Sequence, residues 1–234
     1  MVISGIHTLT LLDFPGHISC IVFLPGCNFR CGYCHNAEFV IPEKIKKIEH
    51  DFIPEEKFFN FLETRKGKLE GVVISGGEPT IHPDLPEFIK KIKDLGFLVK
   101  LDTNGTNPKM LQKLLEEKLV DYIAMDMKSS PEKYDEFTGV KNDFSLLEKS
   151  RDLIVNSKIN HEFRTTYVKG WHDQKEVETI AKWCTGAQKY TLQNFRPQKT
   201  LDPAWGKYTG FTEPELQEMK EIAEKFVKNV EVLS

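Results

Sequence analysis

Apolar positions along the chain follow two rhythms in alternation. Short runs rich in β-branched and aromatic residues, such as HISCIVFLP (17–25) and GVVISG (71–76), end in turn-forming or polar residues and predict strands. FLVKLDTN (97–104), VDYIAMDMK (120–128), HEFRTTYV (161–168) and KYTLQNF (189–195) read the same way. Between them, apolar residues at helical spacing predict helices over 54–66, 84–95, 108–117, 131–157 in two pieces, 173–184 and 212–227. Asn107-Pro108 and Ser130-Pro131 each read as an N-cap followed by a proline in the first helical position, and Thr212 with Glu215 as a capping box.

Strand and helix units repeated six times predict an α/β fold with a parallel sheet and right-handed crossovers. An open or closed (β/α) barrel is the natural outcome, with a doubly wound sheet as the alternative. No internal repeat, low-complexity tract or linker interrupts the chain, so a single domain over 1–234 is expected, with a core of about 16–228 and a lead-in over 1–15. In both architectures ligands bind beyond the carboxyl ends of the strands. Those ends read Pro25-Gly26-Cys27, Ser75-Gly76-Gly77-Glu78, Asp102-Thr103-Asn104-Gly105, Asp126-Met127-Lys128, Arg164-Thr165-Thr166 and Gln193-Asn194-Phe195-Arg196.

Composition narrows the setting. Of the 234 residues 40% are hydrophobic, enough for a core that needs neither disulfides nor metal. The 32 basic and 35 acidic residues leave a net charge of −3, which argues against general attraction to nucleic acid or anionic membrane. The first residues lack a basic start and a cleavage site, and no apolar window approaches the roughly 18 residues of a membrane span. A cytoplasmic protein with reduced thiols is expected. The charge runs EKIKKIEH (43–50) and EKFVKN (224–229) read as solvated faces.

The candidate chemistry lies in LPGCNFRCGYCHN (24–36), which holds Cys27, Cys31 and Cys34, three of the five cysteines, directly after the first strand. An odd count with three clustered favours metal or catalysis over a disulfide framework. Covalent haem needs an export route, and thiol redox has no use for a third cysteine four residues upstream. Zinc normally takes four ligands, and the adjacent Cys34 and His35 cannot readily share one tetrahedral ion. Cys20 and Cys184 read as a buried strand thiol and an isolated helix position. The C-x3-C-x2-C spacing is best read as three corners of a 4Fe–4S cluster whose fourth iron lacks a protein ligand.

The remaining strand ends admit ordinary and functional readings. Gly76-Gly77-Glu78 is either a glycine turn or a close-approach loop with a carboxylate for a cationic amine. Asp102 either forms a turn or accepts hydrogen bonds from ribose hydroxyls, with Thr103 and Asn104 beside it. Alternation puts Asp126 and Lys128 on one face, as an ion pair or as ligand contacts. Arg164 could pair with Asp126 or Glu78, or bind a ligand. Tyr33 is either core or a ligand-facing ring.

GCNFRCGYCHN resembles the cluster loop of the radical S-adenosylmethionine enzymes. The resemblance implies a partial (β/α)6 TIM-like barrel, one 4Fe–4S cluster on Cys27, Cys31 and Cys34, and S-adenosylmethionine chelated to the open iron. It also implies reductive cleavage of that cofactor to a 5′-deoxyadenosyl radical, which abstracts hydrogen from the target. By the same resemblance Gly76, Gly77 and Glu78 bind the methionyl amine, and Asp102, with Thr103, the ribose. Asp126 and Lys128 contact the methionyl carboxylate and ribose, and Tyr33 is the aromatic placed against the adenine. Beside that resemblance, Arg164 reads as a contact of S-adenosylmethionine or of a partner backbone, and His35 as a wall of the cofactor pocket.

DFPG, FLPGCNFRCGYCHN, VVISGGEPT, KLDTNG, VDYIAMDMK and EFRTTYV are together similar to the activases that install a glycyl radical in a partner enzyme, and most of all to anaerobic ribonucleoside-triphosphate reductase activating proteins. The implied partners are that reductase and a flavodoxin- or ferredoxin-type electron donor, with no nucleic acid and no membrane. Two leftover cysteines cannot build a second cluster, so the two-cluster subtype is excluded. Pyruvate formate-lyase activating enzyme carries a histidine near the end of strand six; LQNFRPQ has none, and Gln193 or Asn194 is the candidate replacement. The alternatives are activation of pyruvate formate-lyase or another glycyl-radical enzyme, a small-molecule radical enzyme, and a zinc-binding interaction protein.

Overall fold

In a computed structural model, residues 1–197 and 200–234 are described. The strands are β1 (Gly5–Thr10), β2 (Ser19–Leu24), β3 (Gly71–Gly76), β4 (Leu98–Thr103), β5 (Tyr122–Asp126), β6 (Asn160–Tyr167), β7 (Tyr190–Asn194) and β8 (Val230–Leu233). The helices are α1 (Ala37–Val40), α2 (Pro42–Ile48), α3 (Glu55–Glu63), α4 (Leu85–Asp94), α5 (Pro108–Glu116), α6 (Tyr134–Thr138), α7 (Phe144–Asn156), α8 (Gln174–Trp183) and α9 (Glu213–Ala223). Strand order in the sheet follows chain order from β1 to β8, giving an α/β fold whose six expected strands are β2 to β7.

The chain divides into two compact units, and the division runs through β5 between Ile123 and Ala124. The first comprises Met1–Asn28 and Asn36–Ile123, the second Phe29–His35 and Ala124–Ser234. In the first, β1 pairs antiparallel with β2, while β2, β3 and β4 run parallel, with Leu24 opposite Gly76 and Ile74 opposite Leu101. In the second, β6, β7 and β8 run parallel, with Phe163 opposite Tyr190 and Tyr190 opposite Val230. Val72, Val73 and Ile74 are fully buried in succession, the pattern of a parallel strand covered on both faces.

Two strands lie outside the six expected, and each has a physical reason. β1 exposes three consecutive residues, His7, Thr8 and Leu9, so it lacks the inward and outward alternation that marks a strand. β8 spans only four residues at the chain end. The lead-in over 1–15 is therefore partly a strand, and it is antiparallel to β2, whereas β2 to β4 and β6 to β8 are each parallel runs. α9 ends at Ala223 rather than 227. The solvated run at 43–50 is a helical face: α2 has no buried residue.

Asn107 caps α5 through Met110 N–H at 3.2 Å, and Glu215 Oε2 closes the capping box on Thr212 N–H at 2.8 Å. Ser130 is not an N-cap, because the helix begins four residues later at Tyr134. Its hydroxyl instead donates to the buried Glu176 at 2.9 Å, a competing acceptor supplied by α8.

The DFPG segment lies at the opposite end of the strands from the candidate site. Phe14 is 2% exposed and packs edge-on to Tyr122 and His17, with ring centroids 6.1 and 4.8 Å away. A side chain on Gly71, the first residue of β3, would lie 2.8 Å from the Phe14 ring. DFPG is thus a core plug in the first unit. Phe14→Ala is expected to cost about 3–5 kcal/mol of unfolding free energy, measured by urea titration, the usual penalty for emptying a buried phenylalanine site.

Candidate functional site

In the first unit the turn before Cys27 depends on backbone proximity. Gly26 adopts φ +92° and donates to Phe39 O at 2.6 Å, while its own carbonyl accepts from Glu78 N–H at 2.7 Å. Gly77 donates to Leu24 O at 2.8 Å. A Cβ on Gly77 would sit 1.8 Å from the Gly26 carbonyl oxygen, and one on Gly76, at φ +116°, 2.5 Å from Leu24 backbone atoms. Both glycines are required because the two loops touch through their main chains.

Glu78 ties these loops to β4. It is 1% exposed, and its Oε1 accepts from Thr80 N–H at 3.1 Å, Thr103 Oγ1 at 2.7 Å and the Thr80 hydroxyl. Its Oε2 accepts from Asn104 N–H at 2.6 Å. Burial raises the pKa of this carboxyl, and the four donors work against that by favouring the ionised form. Asn104 extends the network: its amide donates to Asn28 Oδ1 at 2.8 Å, and Asn28 donates to Thr106 Oγ1 at 2.8 Å. Asn36 closes it by donating to Gly76 O at 3.2 Å. Cys27 therefore sits between Gly26 and Asn28, each tied to the loops after β3 and β4.

Asp102 is paired with a residue the sequence reading missed. Lys100, 1% exposed, places Nζ 2.5 Å from Asp102 Oδ1 and 5.7 Å from the Tyr122 ring centroid. The signal was present, because Lys100-x-Asp102 has the same alternate spacing that singled out Asp126-x-Lys128.

In the second unit Asp126 is the hub. Its Oδ2 lies 2.8 Å from Lys128 Nζ and its Oδ1 accepts from Arg164 Nε at 2.9 Å. Met127 N–H donates to Arg164 O at 2.8 Å, so the ends of β5 and β6 are joined by main chain as well as by charge. Burial disfavours the charge on Asp126, but Arg164 and Lys128 outweigh it and hold the carboxyl well below the usual range. Burial likewise opposes the Lys128 charge, and Asp126 raises its pKa above the ordinary lysine value.

Lys128 Nζ stands 5.9 Å from the Tyr33 ring centroid. Tyr33 packs on Phe137 at 4.8 Å and Trp205 at 5.8 Å, and its hydroxyl is buried without a hydrogen-bond partner among the described residues. His35 Nε2 donates to Arg196 O at 3.0 Å and its ring lies over Phe195 at 6.1 Å, so it braces the loop against the end of β7. Behind Phe137 sits buried His172, another residue missed from sequence. Its Nδ1 accepts from Val168 N–H at 3.0 Å, and burial pushes its pKa down to about 4, leaving it neutral. Of the two candidates at the end of β7, Asn194 is committed to Phe211 through both amide atoms, at 2.9 and 2.8 Å. Gln193 accepts from Thr166 Oγ1 at 3.3 Å.

The donor set fits an iron–sulfur cluster. None of the five cysteines forms a disulfide. Burial pushes the Cys20 thiol up to about 12 and Cys184 well above its ordinary value, which leaves the loop cysteines as the thiolate candidates. Among the described residues no set of three or more His, Cys, Asp or Glu side chains is drawn together as a metal site. The fit accordingly rests on donor chemistry, three cysteines in one short loop.

Comparison with known proteins points the same way. The family described as the Radical SAM superfamily matches residues 21–184. A Methanocaldococcus jannaschii protein bearing the name of a glycyl-radical enzyme activating enzyme is 36% identical over 233 residues, covering 97% of this chain and 94% of its own. The pyruvate formate-lyase-activating enzyme of Clostridium pasteurianum is 26% identical over 218 residues, covering 82% and 86%. In structure, SuiB of Streptococcus suis bound to its precursor peptide superposes with a TM-score of 0.67 over 92% of this chain at 15% identity, a likeness of fold. The chain spans about half of that protein, 48% of its length.

Two substitutions test the site's electrostatics. Glu78→Gln replaces a four-fold acceptor by a group with its own N–H donors, and a melting experiment is expected to show a loss of about 1–3 kcal/mol. For Asp126 the folded-state pKa is depressed. Its stabilisation is therefore present above the ordinary aspartate value of about 4 and is lost as pH falls below it. The stability gap between parent and Asp126→Asn, followed from pH 7 to pH 3, should narrow below about pH 4.

Proposed function

We propose, from the premise that the chain belongs to the radical S-adenosylmethionine superfamily and to its glycyl-radical-activating branch, that its partner is anaerobic ribonucleoside-triphosphate reductase. The chain is an enzyme, and its family membership brings with it one 4Fe–4S cluster and S-adenosylmethionine. When bound, they supply a 5′-deoxyadenosyl radical able to remove a hydrogen atom from the Cα of a glycine. The observation that carries the activase reading is similarity, along nearly the whole of both chains, to a protein that bears the name of an activating enzyme.

The chain's own residues then take the following roles. Cys27, Cys31 and Cys34 hold the cluster as thiolates. The Gly76-Gly77 main chain, shaped by Glu78, receives the methionyl amine. Glu78 and Thr103 act here as positioning residues, since the carboxylate is filled by its neighbours. Asp102, kept in place by Lys100, accepts from the ribose. Lys128 and Arg164, bridged by Asp126, offer positive charge to the methionyl carboxylate. Tyr33 gives an aromatic edge, and His35 braces the loop that carries it.

The choice of the reductase is supported by the sequence runs from DFPG to EFRTTYV. A second partner, pyruvate formate-lyase, is favoured by the similarity to its activating enzyme from Clostridium pasteurianum. A flavodoxin- or ferredoxin-type donor supplies the electron. Among the described residues no helix is long and apolar enough to cross a membrane. Cytoplasmic residence is part of the same proposal.

Anaerobic mixing of the reconstituted chain, a reductant and S-adenosylmethionine with the reductase is expected to yield a glycyl-radical signal by electron paramagnetic resonance, and Cys31→Ser to abolish it. A signal on pyruvate formate-lyase but none on the reductase would transfer the assignment to the second partner. No signal on either, from a chain that cleaves the cofactor, would overturn both named partners.

A further inference from the structure

The half of the cysteine loop in the second unit, Phe29–His35, is clasped by a segment from the far end of the chain. Asp202 N–H donates to Gly32 O at 3.0 Å, directly between Cys31 and Cys34. His35 reaches Arg196 O, and Arg30 N–H donates to Thr138 O at 2.8 Å. The tightest contact is Trp205. A Cβ on Gly32 would lie 1.8 Å from its indole Nε1 and 2.4 Å from Cδ1. No rotamer change at position 32 relieves that, since Cβ has no torsion of its own.

Trp205 is not a mobile ring that could step aside. It is 7% exposed and projects from a short 3-10 turn, Pro203–Lys207, whose start is capped by the Asp202 carboxylate on Ala204 N–H at 2.9 Å. Its ring stacks on Trp171 at 4.9 Å and 11°, and meets Tyr208, Phe137 and Tyr33 at 5.2, 5.5 and 5.8 Å. Four aromatic neighbours thus fix the indole that fills the place of a residue-32 side chain. Tyr33, the next residue of the loop, belongs to the same cluster.

The geometry points to Trp205 as a positioning residue for the cluster ligands: it holds the Cys31–Cys34 segment in the shape that presents both thiolates, and position 32 is glycine to admit it. The inference rests on the reading of Cys27, Cys31 and Cys34 as cluster ligands. Trp205 acts through the main chain of Gly32, against which its indole is packed. Its effect should therefore appear in how firmly iron is held.

The test compares the full-length chain with Gly32→Ala, Trp205→Ala and the double variant after anaerobic reconstitution, following transfer of iron to a chelator. Each single variant is expected to release iron about tenfold or more faster than the parent, the scale on which groups around metal ligands act. The double variant should release iron no faster than Trp205→Ala, because removing the indole frees the space that the added methyl group needs. Melting of the metal-free proteins serves as the control, and iron release should not follow the order of their melting temperatures. Iron retained by Gly32→Ala as long as by the parent, losses in the double variant that multiply those of the singles, or release that simply tracks melting would each overturn the assignment. A parent chain that takes up no iron overturns the cysteine reading and this inference with it, an outcome visible before any variant is compared.

Discussion

The first unit depends on one close approach, the carbonyl of Gly26 against the α-carbon of Gly77. No side chain fits between them. Once the two main chains touch, Glu78 N–H can reach Gly26 O, and the Glu78 carboxylate is drawn inward to gather Thr80, Thr103 and Asn104. A carboxyl group at 1% exposure is accommodated there because four donors replace the water it has lost. The turn leading into Cys27 thus inherits its rigidity from the carboxylate that follows β3. A lone glycine-rich loop would offer no such definition.

The second unit solves a similar problem with opposite charge. Arg164 and Lys128 flank Asp126, so a single carboxylate is shared by two cations. The shared carboxylate keeps both cations charged at the ends of β5 and β6. Each unit thus contains a short-range pair set by alternate spacing on a strand, Lys100 with Asp102 and Asp126 with Lys128.

Much of this could be read from the residues, for identifiable reasons. The six strands β2 to β7 were legible because buried strands are continuous apolar runs, and the capping box at Thr212 because its two partners are three residues apart. β1 escaped because its outward face is unbroken over three residues, and Ser130 misled because its acceptor, Glu176, is distant in sequence. Candidate site residues marked by local pattern, the cysteines, the glycine pair and Asp126-x-Lys128, can be named from the sequence. Lys100 had the same pattern but reads as an ordinary polar strand position until its burial is known. His172 and Trp205 carry no local pattern at all, since their roles come from rings contributed by several elements. DFPG, by contrast, was legible as a motif but not as a plug, because only packing shows that Phe14 faces Gly71.

The clasp on Gly32 also has a bearing on the order in which the molecule is made. A chain emerges from the ribosome N-terminus first, at about 5–20 residues per second. The cysteine loop is synthesised near the beginning, yet Thr138, Arg196, Asp202 and Trp205, which shape its second half, appear only in the later part of the chain. The second half of the loop therefore takes its final shape only once residues 138–205 have been made and packed against it.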